Sequence, residues 1–207
     1  MNGSEPLEIE RRFLILRPDT AELDRRCTRV YSMEQTYLLS PPHQTERVRR
    51  REGQDGVAFF HTVKIDRTAL TRLEQEEEIT PEAYEAYLSR RDPMTQTIYK
   101  TRYCLPEGPY TFEIDLYPFW PHYAVMEIEL PREDAPFRFP HDIRVIRELT
   151  GDHRFSNAAL SRRIPAENEL LSQKSRVKAE KTKIFFQKAS SGFGDVSFKE
   201  RSGRFKA

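Results

Sequence analysis

Charged residues recur at every second position along several stretches of this chain. In Glu8-Ile9-Glu10-Arg11-Arg12-Phe13-Leu14-Ile15, an extended backbone turns Glu8, Glu10 and Arg12 to one side and Ile9, Arg11 and Phe13 to the other. Glu127 and Glu129 repeat the acidic half, opposed by Met126, Ile128 and Leu130. Arg47, Arg49 and Arg51 share a face, as do Lys100 and Arg102, and Glu113 and Asp115. Lys64 aligns with Ala58, Phe60 and Thr62, and Arg72 with Glu74, Glu76 and Glu78. Guanidinium and ammonium groups match phosphate oxygens, the guanidinium as a fork. Carboxylates hold hard divalent cations such as Mg²⁺ or Mn²⁺. A face lined by both signs is costly to bury unless a ligand compensates. A polyphosphate with a divalent metal would do so, here without any glycine-rich phosphate loop.

These rows need strands to carry them. The expected strands are Glu8–Leu16, Glu34–Leu39, Thr45–Glu52, Val57–Ile65, Thr71–Ile79, Thr97–Leu105, Tyr110–Tyr117 and Tyr123–Leu130. Gly53-Gln54-Asp55-Gly56 reads as a hairpin turn. Asp19 or Thr20 should cap a helix running to roughly Arg29, and Thr80-Pro81 should open another. Pro131 to Pro140 is a proline-rich connector. Residues 141–163 read as helical, with a break at Gly151 and a cap at Ser156. Short strands with hairpin turns and few helices predict a mainly β, α+β protein: an antiparallel barrel or sandwich with a charged interior.

The 207 residues suffice for one domain with a real core. A net charge of +1 hides an asymmetry: residues 174–207 carry +7 and the remainder −6. An acidic body argues against a nucleic-acid partner, and the basic tail is its only hint. Cys27 and Cys104 form no disulfide framework or metal-ligand spacing. No signal-peptide pattern or membrane-length apolar run occurs, so a cytoplasmic setting without membrane association is expected. The expected division is a β domain with a charged interior over 1–165, the tunnel domain of the resemblance given below, and a basic, loosely ordered tail over 166–207. Oligomeric state is not legible. His43, His61, His122, His141 and His153 show no ligand spacing, Trp120 reads as core or rim, and Arg51 faces either a tunnel mouth or solvent.

The ordered series resembles the CYTH superfamily of triphosphate tunnel metalloenzymes. It runs from Glu8-x-Glu10-x-Arg12 through Arg47-x-Arg49, Lys64, Arg72 to Ile79, Lys100-x-Arg102 and Glu113-x-Asp115 to Glu127-x-Glu129. It closes with Glu148-Leu149-Thr150-Gly151-Asp152-His153-Arg154-Phe155-Ser156-Asn157. The resemblance spans about Glu8 to Ile164 and implies an eight-stranded, closed antiparallel barrel with flanking helices. It implies metal-dependent hydrolysis of a small-molecule triphosphate, inorganic triphosphate first among them. Thiamine triphosphatase and class IV adenylyl cyclase activities share the motifs. A non-catalytic polyphosphate-binding module is the rival from another class, and intact Glu8, Glu10, Glu127 and Glu129 argue against it. The implied phosphate ligands are Arg12, Arg47, Arg49, Lys64, Lys100 and Arg102. The implied Mg²⁺ or Mn²⁺ ligands are Glu8, Glu10, Asp115, Glu127 and Glu129, with Glu8, Glu10 and Arg12 at the chemistry. Glu74, Glu76 and Glu78 either pair with the arginines or bind metal. Arg12 stands where the family has Lys; an Arg keeps its proton, so only a cationic role survives there.

Overall fold

A computed structural model describes residues 9–66 and 72–171. Nine strands form one antiparallel sheet. They are β1 (Ile9–Leu16), β2 (Arg29–Leu38), β3 (Gln44–Gly53), β4 (Gly56–Asp66), β5 (Arg72–Ile79), β6 (Ile98–Glu107), β7 (Tyr110–Leu116), β8 (Tyr123–Leu130) and β9 (Val145–Glu148). The spatial order is β5-β4-β3-β2-β6-β7-β8-β1-β9. Two expectations change here. The strands number nine rather than eight, and the hydrogen-bonded ladder does not close, since β5 and β9 end the sheet among the described residues.

The extra strand is Val145–Glu148, which the helical reading of 141–163 missed. Its four residues pair with Phe13–Ile15 of β1, across a register shift between Leu14 and Ile15. A bidentate pair from Arg11 to Glu148, at 2.9 and 2.8 Å, fastens it. The expected break and cap do occur further on: Gly151 has φ 77°, and the Ser156 side chain accepts from Ala159 N to open α3 (Asn157–Arg162). Helix α1 (Thr20–Arg26) is capped by Asp19 and stops before Arg29. Thr28 N–H donates instead to Cys104 O, drawing the chain into β2. Thr80 caps α2 (Pro81–Leu88), with Pro81 in its first turn, as the sequence predicts.

The two faces of the strands differ. Phe13, Ile15, Phe112, Ile114, Met126 and Ile128 turn outward and are sealed by Leu23 of α1 and by the connector, through Ala135, Phe137, Phe139 and Ile143. Phe13 meets Phe139 edge-on at 5.0 Å between centroids. The Arg11 guanidinium lies over Phe13 and Phe137, so a charge on this face still covers aromatic surface. On β2–β5, α2 buries Tyr84 against Leu38, Val48, Phe59 and Ile79. His61 is structural there, between Glu46 at 2.9 Å and Glu77 at 3.2 Å, stacked on Tyr87.

The opposite face carries the charged rows, but only part of the way. Moving along the strands, Glu10 and Arg12 give way to Leu14, Glu129 and Glu127 to Val125, Asp115 to Tyr117, and Arg102 and Lys100 to Ile98. These apolar continuations pack with Trp120, Leu149, Phe155, Leu160 of α3 and Leu170 of α4 (Glu167–Leu170). Each fully buried aliphatic side chain contributes roughly 1.5–3 kcal/mol. Trp120 Nε1–H donates to Pro165 O at 3.0 Å, so its polar atom is satisfied inside this apolar end. Residues 172–207, and with them most of the tail expected over 166–207, lie outside the described residues; of that stretch Glu167–Leu170 forms α4, with Leu170 buried. Among the described residues no helix is long and apolar enough to cross a membrane.

Candidate functional site

Much of the charged face is buried although its residues are polar. Side-chain exposure is 12% for Arg47, 15% for Arg49, 3% for Lys100 and zero for Asp115. The site divides into two halves. The first spans β1, β6, β7 and β8. Register sets Arg12 opposite Glu127 and Glu10 opposite Glu129. Arg12 donates to Glu127 Oε1 at 2.6 Å and to Glu10 Oε1 at 2.7 Å. Arg102 grips Asp115 with two bonds, at 2.6 and 2.7 Å, and reaches Glu127 Oε2 at 2.9 Å. It also pairs with Glu113, and Lys100 pairs with the second Asp115 oxygen.

Electrostatics follow from this packing. Burial would raise the Asp115 carboxyl, but Arg102 and Lys100 overcome it and hold the group well below the usual carboxylate range. Burial and the charge of Asp115 likewise push Glu127 up, and Arg102, Arg12 and Lys100 bring it down. Burial, then the charge of Arg102, lowers Lys100 to about 8 against the pull of Asp115. Glu10 goes the other way. Removal from bulk water and the nearby Glu127 carboxylate raise it to about 7, despite Arg12. Its side chain keeps 42% exposure, so solvent moderates this shift.

The second half spans β2–β5. Arg47 approaches Glu74 and Glu76 only to 3.6 Å, and Arg49 approaches Glu76 only to 3.6 Å. The Nε atoms of both arginines are buried with no hydrogen-bond partner. Burial and the neighbouring Arg47 charge lower Arg49 to about 10, and Glu76 offsets only part of that. Glu74 and Glu76 stand as loose counter-ions, and Lys64 pairs with Glu74. Neutral groups complete the face: Gln35 Nε2 donates to Tyr37 Oη at 2.7 Å, and Thr62 to Glu76 at 2.7 Å. The sequence reading passed over these three, although Gln35 and Tyr37 share the parity of a charged row on the neighbouring strand.

The structure thus brings together Glu10, Arg12, Lys100, Arg102, Asp115 and Glu127, and sets Arg47, Arg49 and Lys64 on the adjoining strands of the same face. Glu129 holds the register position opposite Glu10. Glu8 lies outside the described residues. Among the described residues no group of three His, Cys, Asp or Glu side chains is preassembled for a metal. The donors nevertheless suit a hard cation. Glu10 lies close enough to Glu127 to feel its charge, and each Glu127 oxygen retains a lone pair beyond its arginine bond.

The architecture is that of a mainly β protein with one antiparallel sheet, one face of which carries the charged rows. No protein-family model matches the chain. Over 165 residues it is 33% identical to the inorganic triphosphatase of Nitrosomonas europaea, covering 76% of this chain and 99% of that one. The crystal structure of an inorganic triphosphatase matches with a TM-score of 0.52 and 27% identity, over 79% of this chain and 100% of the other. A second crystal structure, of a protein called hypothetical, matches with a TM-score of 0.52 and 28% identity over 77% and 100%. The chain belongs to the family of the Nitrosomonas triphosphatase, in agreement with the CYTH-like resemblance of its ordered charged rows.

Proposed function

We propose that this protein is a metal-dependent hydrolase of inorganic triphosphate. The observation that carries the reading is the pair of buried, unpartnered Nε–H groups of Arg47 and Arg49. A buried donor without an acceptor costs about 1–3 kcal/mol. An anion bound between β3 and the facing strands would supply the acceptors, and a relative's triphosphatase activity names a fitting one. In this reading Arg47, Arg49, Lys64, Lys100, Arg102 and Arg12 hold the phosphate oxygens, and the sheet curls into the tunnel of the CYTH superfamily. Asp115 keeps Arg102 and Lys100 in place as their counter-ion.

Glu10, Glu127 and Glu129, with Glu8, would hold Mg²⁺ or Mn²⁺. The metal, when bound, would neutralise phosphate charge and lower the pKa of a water. The chain's own contribution is fixed charge. Arg102 and Lys100 meet developing negative charge without reorganising, because Asp115 already orients them. Arg12, which cannot release its proton, acts only as a cation. The apolar end around Tyr117 and Leu14 keeps water from that side of the phosphates.

The test is phosphate release from inorganic triphosphate, ATP and thiamine triphosphate, with Mg²⁺, with Mn²⁺ and with chelator. Release from inorganic triphosphate that stops with chelator is expected. No release with either metal would favour the non-catalytic binding module. Glu10→Gln and Glu129→Gln keep size and remove a ligand charge. Each is expected to lower kcat by several orders of magnitude, and near-normal turnover in either would remove it from the metal site.

A further inference from the structure

Arg51 continues the row of Arg47 and Arg49, two residues closer to the β3–β4 hairpin. At the strand rise it stands about 6.7 Å beyond Arg49. Through the ladder it pairs with Met33 of β2, which pairs with Lys100 of β6, so Arg51 stands on the row of Lys100. Its surroundings differ from those of its two neighbours in the row. The guanidinium is 4.9 Å from the Tyr31 ring centroid and 4.6 Å from that of Phe60, on the two flanking strands. No carboxylate among the described residues pairs with it. The Tyr31 ring is itself pinned: a Cβ at Gly53 would meet its Cδ1 at 2.7 Å and Cε1 at 2.8 Å. Glycine there lets the ring lie against the backbone.

Aromatic rings on both flanking strands hold this guanidinium, and its N–H donors pair with no carboxylate among the described residues. A phosphoryl oxygen can meet these N–H donors as a charge-assisted acceptor. We infer that Arg51, held by Tyr31 and Phe60, is an outer anion subsite that takes the distal phosphoryl group of linear polyphosphates longer than triphosphate. This rests on the reading that Arg47 and Arg49 hold the inner phosphates. The rings also fix the long side chain before binding, which reduces the entropy lost when an anion arrives.

The experiment is calorimetric titration of the full chain and of Arg51→Gln with inorganic tri- and tetrapolyphosphate and with ATP. Arg51→Gln is expected to weaken tetrapolyphosphate about tenfold more than triphosphate, the worth of one charge-assisted hydrogen bond. Arg51→Lys should recover part of the loss. Tyr31→Leu, which frees the guanidinium, should narrow the preference in the same direction. Equal weakening of both polyphosphates, no weakening, or a larger loss for ATP than for tetrapolyphosphate would overturn the subsite. The hydrolase reading is tested separately by phosphate release from triphosphate in the unmodified protein. Either can fail while the other stands.

Discussion

The two halves of the charged face are built from the same residue types and reach opposite states. Around β1, β6, β7 and β8 every guanidinium has carboxylate oxygens at 2.6–2.9 Å, and Asp115 is saturated by Arg102 and Lys100. On β3, Arg47 and Arg49 find carboxylates only at 3.6 Å and keep orphaned Nε atoms. One half is tightly paired from within, and in the other Arg47 and Arg49 meet their counter-ions only loosely. The difference separates charges already fixed by their own counter-ions from charges held only loosely. It also explains why the acidic rows alone would mislead: Asp115, the most buried carboxylate of the face, serves its neighbours first.

Four changes break or sharpen this contrast. Asp115→Ala strips the counter-ion from Lys100 and Arg102 and should cost about 3–5 kcal/mol in urea denaturation, as for other broken buried pairs. A loss below ~1 kcal/mol, within the range of exposed pairs, would mean that water screens this half after all. Arg12→Ala should lower kcat/KM on triphosphate by the equivalent of ~2–4 kcal/mol, while Arg12→Lys keeps much of the activity. A natural protein that is inert until Arg12→Lys is made would show that the substitution has removed a proton-transfer step. Arg49→Gln should weaken triphosphate binding by about 2–3 kcal/mol and leave folding stability unchanged or improved, because an imperfectly paired buried charge is removed. A marked loss of stability in that variant would put Arg49 with the structural half.

The smallest effect concerns pH. The Glu10 carboxyl, raised to about 7, binds its proton more tightly in the folded protein than in the unfolded chain. Its contribution is therefore present below the unfolded value and fades as pH rises through the folded one. Metal-free stability should decline gently from about pH 5 to 8, and Glu10→Gln should flatten the slope. Metal affinity should change in the opposite direction, rising with pH as the ligand loses its proton. An identical stability profile in the variant would show that Glu10 keeps an ordinary pKa.

The faces were legible because a period of two is a local property. Arg47, Arg49, Lys100 and Arg102 could be placed on one side of their strands from spacing alone, and Thr80-Pro81 and Ser156 from capping chemistry. What spacing cannot convey is partnership between distant strands. Val145–Glu148 is too short to declare itself a strand; β1 and the Arg11–Glu148 pair make it one. The end of α1 depends on Cys104, far along the chain. Which arginines stay orphaned depends on how β3 and β5 are offset, and Arg51 could not be placed without the rings on either side of it. The continuation of the charged rows into Leu14, Ile98 and Val125 was visible as apolar letters, but that they form a shared apolar end was not.

Trp120 is the chain's sole tryptophan, and it is fully buried in that apolar end with its indole N–H bonded to Pro165. The protein therefore carries one indole fluorophore, placed in the apolar end and not in the charged rows. Its emission should be blue-shifted in the native state and move to longer wavelength only when the Leu14–Ile98–Leu170 packing opens. Titrating triphosphate should leave the spectrum nearly still, while denaturant should shift it in step with loss of the fold. The chain thus has an optical readout of folding that is separate from binding, and a ligand-induced change in it would reveal coupling between the charged rows and the apolar end.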